Sequence, residues 1–94
     1  LFPDGLISWE LEHAAVMETA VMLYLMKNHV RAPLIPDHPP ADFPLYDTYP
    51  FEPGSVSHSG ALSSAKKASA EKGAAVVRVL VKSLSQEITR AFES

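Results

Sequence analysis

With 94 residues and a mass of 10.2 kDa, the chain has room for one small domain at most, and a core of that size buries only a modest share of its own surface. The absence of cysteine excludes a disulfide scaffold and any thiolate metal site. The net charge of −3 is unevenly placed: residues 1–53 carry eight acids against Lys27 and Arg31, and residues 54–94 carry six bases against Glu71, Glu87 and Glu93.

Those bases lie along a helical stretch with acids between them, which reads as a solvated face. An aromatic-studded basic stripe is missing, so nucleic acid is not the expected partner, even through Lys66, Lys67 and Lys72. The hydrophobic share of 47% is high for a small chain without disulfides and asks for a surface beyond the chain itself. The start at Leu1, directly before 3-PDG-5, gives the same expectation of a piece of a larger domain. The longest apolar run, Thr19–Met26, is too short to span a bilayer, and no signal-peptide pattern precedes it. No membrane is expected as a partner, and the expected location is cytoplasmic.

The first predicted element is a helix from about Glu12 to Asn28. Val16, Met17, Ala20, Leu23 and Tyr24 mark its apolar stripe, and Val21, Met22, Leu25 and Met26 widen that stripe almost all round. Such a helix is expected to be buried. Glu18, flanked by apolar residues, is read as a buried carboxylate in the helix pairing.

Residues 33–53 follow with seven of the eight prolines and with Phe43, Tyr46, Tyr49 and Phe51. Proline fixes φ and removes backbone donors, so neither a helix nor a central strand can run through here. A disordered linker would be poorer in aromatics. The expectation is an ordered, extended arm that docks on another surface.

The last element is a helix from about Ala65 to Phe92, capped by Ser63, Ser64 or Ser69. Val77, Leu80, Val81, Leu84, Ile88 and Phe92 form one apolar face. Gly73 sits inside this helix at a cost of up to about 1 kcal/mol relative to Ala, which close packing against a neighbouring backbone would explain. No strand is expected within the chain.

Chemistry concentrates where the first helix begins, at Trp9, Glu10, Glu12 and His13. A helix start favours carboxylates, and a His beside carboxylates can be tuned for proton transfer near neutral pH. An indole can stack on a flat ring or close a pocket against water. The same residue types also suit a helix lip with a structural His and a core Trp. Glu12 and His13 are adjacent, so on a helix they diverge by about 100°. His13 with Glu12 and Glu10 lacks the i, i+4 spacing of a helical ligand pair, and His29, His38 and His58 form no ligand pattern. No metal ligand is assigned to this chain.

The string 9-WELEHAAVMET-19 resembles the W-D-x-E-H-x-G-x-x-E-T-S signature of the creatininase family, the creatinine amidohydrolases. The likeness continues through 37-DHPPADFPLYD-47 and 61-ALSSAKKASAEKG-73, in order along nearly the whole chain. It implies an α/β fold, a three-layer α/β/α domain. This chain would be the C-terminal portion of that domain: two helices joined by a Pro- and aromatic-rich extended arm. It also implies two divalent metal ions, manganese or zinc, that activate water to open a cyclic amide such as creatinine, with ligands from an N-terminal part. On this resemblance Trp9 covers the substrate and Glu10 contacts it. His13 binds it and shuttles a proton to the leaving nitrogen, and Glu12 orients His13. The implied partners are the N-terminal complement of the domain, a small amide substrate, and further copies in a homo-oligomer, a hexamer in this family. The chain alone is then not expected to be active.

Two residues depart from the signature. Glu10 replaces Asp, which moves the carboxylate by about a bond length and opens the choice of amide, including formamides and peptides that relatives process. Ala15 replaces a Gly shortly after the His, so the local backbone is expected to differ. Outside this family, the alternative is a non-catalytic interaction module that docks through its helix faces and arm.

Overall fold

The computed structural model describes residues 4–42, 49–50 and 57–93. Its elements in chain order are a 3₁₀ turn at Trp9–Leu11, helix α1 at Val16–Leu25, 3₁₀ turns at Lys27–His29 and Ala32–Leu34, and helix α2 at Ala70–Phe92. The described residues contain no strand, so the sheet of the expected α/β domain has no counterpart among them.

Helix α1 starts later than the apolar periodicity predicts because the backbone turns sharply in front of it. Ala14 has a φ of +52°, the left-handed region, and helical bonding begins with Thr19 N–H donating to Ala15 O at 3.1 Å. Met26 ends it, with φ −142° and an N–H bonded to Met22 O at 2.7 Å. Helix α2 starts at Ala70 rather than Ala65 because Ser69 is the residue that caps it, its side chain accepting from Lys72 N–H at 3.2 Å. The other candidate caps act elsewhere. Ser63 is buried and donates to Leu11 O, and Ser64 donates to Pro36 O.

The two helices pack on each other through small residues. Val16, Ala20 and Leu23 of α1 and Gly73 and Val76 of α2 are buried, with Ala15, Ala61 and Ala65 beside them. At Gly73 a Cβ would fall inside contact distance of the Ala20 carbonyl and 2.9 Å from Tyr24 Cβ. Glycine is therefore what lets α2 lie against the α1 backbone, as its place inside a helix suggests.

The lead-in is tied to the same corner. Asp4 pairs with Lys67 at 2.8 Å, and Lys72 Nζ donates to the Asp4 carbonyl at 3.0 Å. Gly5, at φ +95°, passes so near that a Cβ there would meet Lys67 Cβ at 2.9 Å.

Three expectations change. Helix α1 is buried on one side only, since Met22, Tyr24 and Leu25 are exposed, as is Met26 at its C-terminal cap. The apolar face of α2 is open along its distal half, where Leu80, Val81, Leu84, Ile88 and Phe92 all face solvent and Val76 provides the buried contact. Within the arm, Ala32–Leu34 forms a 3₁₀ turn and residues 35–42 have no regular structure. Phe43, Tyr46 and Phe51 lie outside the described residues, and Tyr49 is 97% exposed. No described helix is long and apolar enough to cross a membrane.

Candidate active site

The stretch 9–13 is a shaped turn and not the first turn of a helix. Its backbone is closed by Leu11 N–H to Ser8 O at 3.2 Å and Glu12 N–H to Trp9 O at 3.3 Å. An irregular strap at residues 61–63, from a distant part of the chain, holds it in place. Leu62 N–H donates to His13 O at 3.1 Å, and Ser63 Oγ–H donates to Leu11 O at 3.2 Å. Ala41 N–H in turn donates to Leu62 O at 2.7 Å, which ties the arm to the same strap. Ser63 is 2% exposed, and its bond to the half-buried Leu11 carbonyl gives its buried hydroxyl a partner.

With the backbone fixed, the side chains of interest project outward. Trp9 is 68% exposed, and Glu10 and His13 are exposed as well. An indole left this open has no core to fill, which disposes of the core-Trp alternative within this chain. The carboxylates divide differently from the sequence reading. Glu12 faces the helix: its Oε1 accepts from Met17 N–H at 3.0 Å and its Oε2 from Glu18 N–H at 3.4 Å. These are two of the unpaired donors of the first turn of α1, and Ala15 at the cap position has no side-chain acceptor to offer them. No hydrogen bond joins Glu12 to the His13 ring among the described residues. The contact by which Glu12 is expected to orient His13 is therefore not found there, because its carboxylate is turned to the Met17 and Glu18 amides.

Glu18 is not the buried pairing carboxylate that its apolar neighbours suggest. It is exposed, and its Oε2 accepts a hydrogen bond from Ala14 N–H. The left-handed residue is therefore Ala14, while Ala15, which replaces the signature Gly, has a φ of −101° that alanine adopts freely. The strap residues Leu62 and Ser63 and the bond from Glu18 carry no spacing signal, because their partners are set by the fold.

Two recesses among the described residues are lined by none of residues 9–13. An open groove of about 590 Å³ is bordered by Ala14, Glu18, Thr19, Met22, Arg31 and Leu34, and Trp9, Glu10 and His13 do not line it. A smaller recess of about 260 Å³ lies between the arm and the approach to α2, bordered by Asp37, His38, Ser64, Lys66 and Lys67. There His38 Nδ1 lies 2.9 Å from Pro39 O, and its Nε2 is buried without a partner among the described residues. No group of three His, Asp or Glu residues suited to a metal ion occurs among the described residues. The donor set for a divalent ion therefore does not fit these residues.

Comparison with known proteins sets this turn in a family. The creatininase model, described as creatinine amidohydrolase, matches residues 6–88. A creatinine amidohydrolase of Pseudomonas putida is 42% identical over 92 residues, covering 98% of this chain and 35% of the relative. Among solved structures, a manganese form of creatininase aligns with a TM-score of 0.90 at 41% identity, over 100% of this chain and 37% of that one. A zinc–zinc form of a creatininase mutant gives 0.89 at 41% identity, over 100% and 36%. A creatininase mutant complexed with creatine gives 0.88 at 41% identity, over 100% and 37%. The chain thus spans little more than a third of the length of these relatives. Because the family model covers the turn, helix α1, the strap and helix α2 as far as Ile88, this chain belongs to the creatininase family.

Proposed function

We propose that this chain supplies the substrate-side wall of a metal-dependent amidohydrolase that hydrolyses a C–N bond of a small cyclic amide such as creatinine. The observation that carries the reading is the turn 9–13, whose backbone is held by Ser63 and Leu62 while the side chains of Trp9, Glu10 and His13 are exposed and have no hydrogen-bond partner among the described residues. A rigid backbone under exposed aromatic, acidic and imidazole groups is a recognition surface; it contributes little to a core.

Opening a cyclic amide joins a water oxygen to the carbonyl carbon and breaks the ring C–N bond, and the departing nitrogen must gain a proton. His13 is the group assigned to bring that proton. Glu10 suits the amino-imine edge of the substrate, and Trp9 suits its planar face. The chemistry of a two-metal centre, manganese or zinc, would activate the water, with ligands contributed by parts of the domain outside this chain. Metal forms of creatininase among the structural relatives support that assignment. The three-layer α/β/α domain, the hexameric assembly and the cytoplasmic location belong to the same reading and rest on the family likeness. The exposed faces of α1 and α2 support a requirement for the N-terminal complement before any activity appears.

A second reading is favoured by Glu10. Its longer side chain in place of Asp suits a different small amide, a formamide or a peptide, with His13 unchanged in role. A non-catalytic assembly module would explain the open helix faces but not the free Trp9 and His13.

The test is His13→Ala in the complete, metal-loaded enzyme, with assembly followed by native mass spectrometry. Loss of a positioned proton donor should lower turnover by about 10²–10⁴-fold while the assembly survives. Unchanged turnover of creatinine and of other small amides would remove His13 from the chemistry and leave the assembly module as the better reading.

A further inference from the structure

We propose that Glu18 is a positioning residue for His13, acting through the Ala14 amide to lock the left-handed turn that presents the imidazole. The inference rests on the reading of His13 as the proton-carrying group.

Three observations converge on residues 12–18. Ala14 directly follows His13 and holds a φ of +52°, a conformation disfavoured for alanine by about 1–2 kcal/mol. The Glu18 carboxylate accepts from the Ala14 N–H, which satisfies that amide only when residue 14 is in this turn. The Glu12 carboxylate accepts from Met17 and Glu18 N–H, so the two acids grip the connection from opposite ends. Glu12, three residues before the cap Ala15, reaches forward into the helix and Glu18 reaches back to the amide before the cap, a reciprocal arrangement akin to a capping box. At the other edge of the same peptide unit Leu62 N–H holds the His13 carbonyl. With both polar groups of the His13–Ala14 peptide engaged, the backbone that carries the ring is held on its C-terminal side.

Glu18 is itself exposed, beside the open groove, so burial does not hold it in place. An exposed carboxylate on the surface of a helix start is free to be any polar residue as far as packing is concerned. Its bond to an amide next to His13 gives it a specific task instead.

The experiment compares Glu18→Ala, Glu18→Gln and the double variant Glu18→Ala/Ala14→Gly in the complete enzyme, with His13→Ala alongside. Two readouts are taken: turnover, resolved into kcat and KM, and amide hydrogen exchange at residue 14. The expected result is that Glu18→Ala speeds exchange at the Ala14 amide and lowers kcat by up to about 100-fold, the scale of a displacement near 1 Å. Glu18→Gln keeps an acceptor oxygen and should recover most of both. Glycine at position 14 removes the penalty of the left-handed turn, so the double variant should recover part of the lost kcat.

Equal loss in the Ala and Gln variants would overturn the proposal, because an acceptor oxygen offered to the Ala14 amide would then not account for the role of Glu18. Unchanged exchange at Ala14 in Glu18→Ala would overturn it as well. If His13→Ala leaves turnover intact, it is the functional reading of His13 that fails; the exchange at Ala14 still decides whether Glu18 locks the turn.

Discussion

Ser63 and Glu12 show how much of the site depends on residues that never face it. Ser63 is buried, and its hydroxyl gives Leu11 O a donor across a sequence separation of 52 residues. Ser63→Ala would leave that carbonyl unpaired, at a cost of about 1–3 kcal/mol, and should lower the melting temperature of the complete protein. Glu12 replaces a conventional cap for α1, so Glu12→Ala should cost about 1 kcal/mol of stability, and Glu12→Gln much less because an acceptor oxygen remains. Denaturant titration of the two variants separates them. The sequence made Trp9, Glu10, Glu12 and His13 visible as a cluster, because helix starts, acids and an imidazole have known affinities. It did not reveal that Ala14 would take a positive φ, since alanine carries no signature for that conformation. Nor did it reveal that Glu18 would leave the helix pairing, since apolar neighbours in sequence are not neighbours in space on a helix.

At the scale of elements, the corner where α1 meets α2 sets the site, and its key residue is Gly73. Alanine there would gain up to about 1 kcal/mol in helix propensity but would drive a methyl into the Ala20 carbonyl. Overpacking against backbone costs about 1–3 kcal/mol, so Gly73→Ala should destabilise the protein on balance, as thermal unfolding would show. The helix pattern in the sequence was sufficient to place both helices and to assign Gly73 a packing role. It placed their starts several residues early, because apolar periodicity runs on through the Ala14 turn in front of α1 and because Ser69, the last of three candidate serines, is the one that caps α2. The lead-in adds a weaker, pH-dependent tie at the same corner. The hydrogen bond from Lys67 and its positive charge hold the Asp4 carboxyl below its ordinary value. A carboxyl depressed in the folded state contributes stability above its unfolded pKa and loses it as pH falls through the lowered folded value. The difference in stability between Asp4→Asn and the parent should therefore be present at neutral pH and vanish in strong acid. It should also shrink with added salt, because the pair is exposed.

For the molecule as a whole, helix lengths explain the open surface. Helix α2, with 23 residues, is about 35 Å long, and α1, with 10 residues, is about 15 Å. One cannot cover the other, so the distal half of α2 extends past its only described helical partner and the molecule reaches 53 Å in its long dimension. The sequence correctly marked Leu80, Leu84 and Ile88 as one face, but periodicity identifies a face without identifying what lies on it. These residues are each about half exposed, in a chain that spans about a third of its relatives' length. On the proposed reading the remainder of the domain covers them. Leu84→Asp separates the possibilities, because a carboxylate is tolerated on a solvated helix face and costly in a buried one. In the 94-residue chain by itself, the substitution should leave the helical circular dichroism signal unchanged. In the complete domain it should weaken assembly and lower the melting temperature sharply. If the complete domain were indifferent to Leu84→Asp, this half of α2 would be open there too, and the high apolar content of the chain would need another partner.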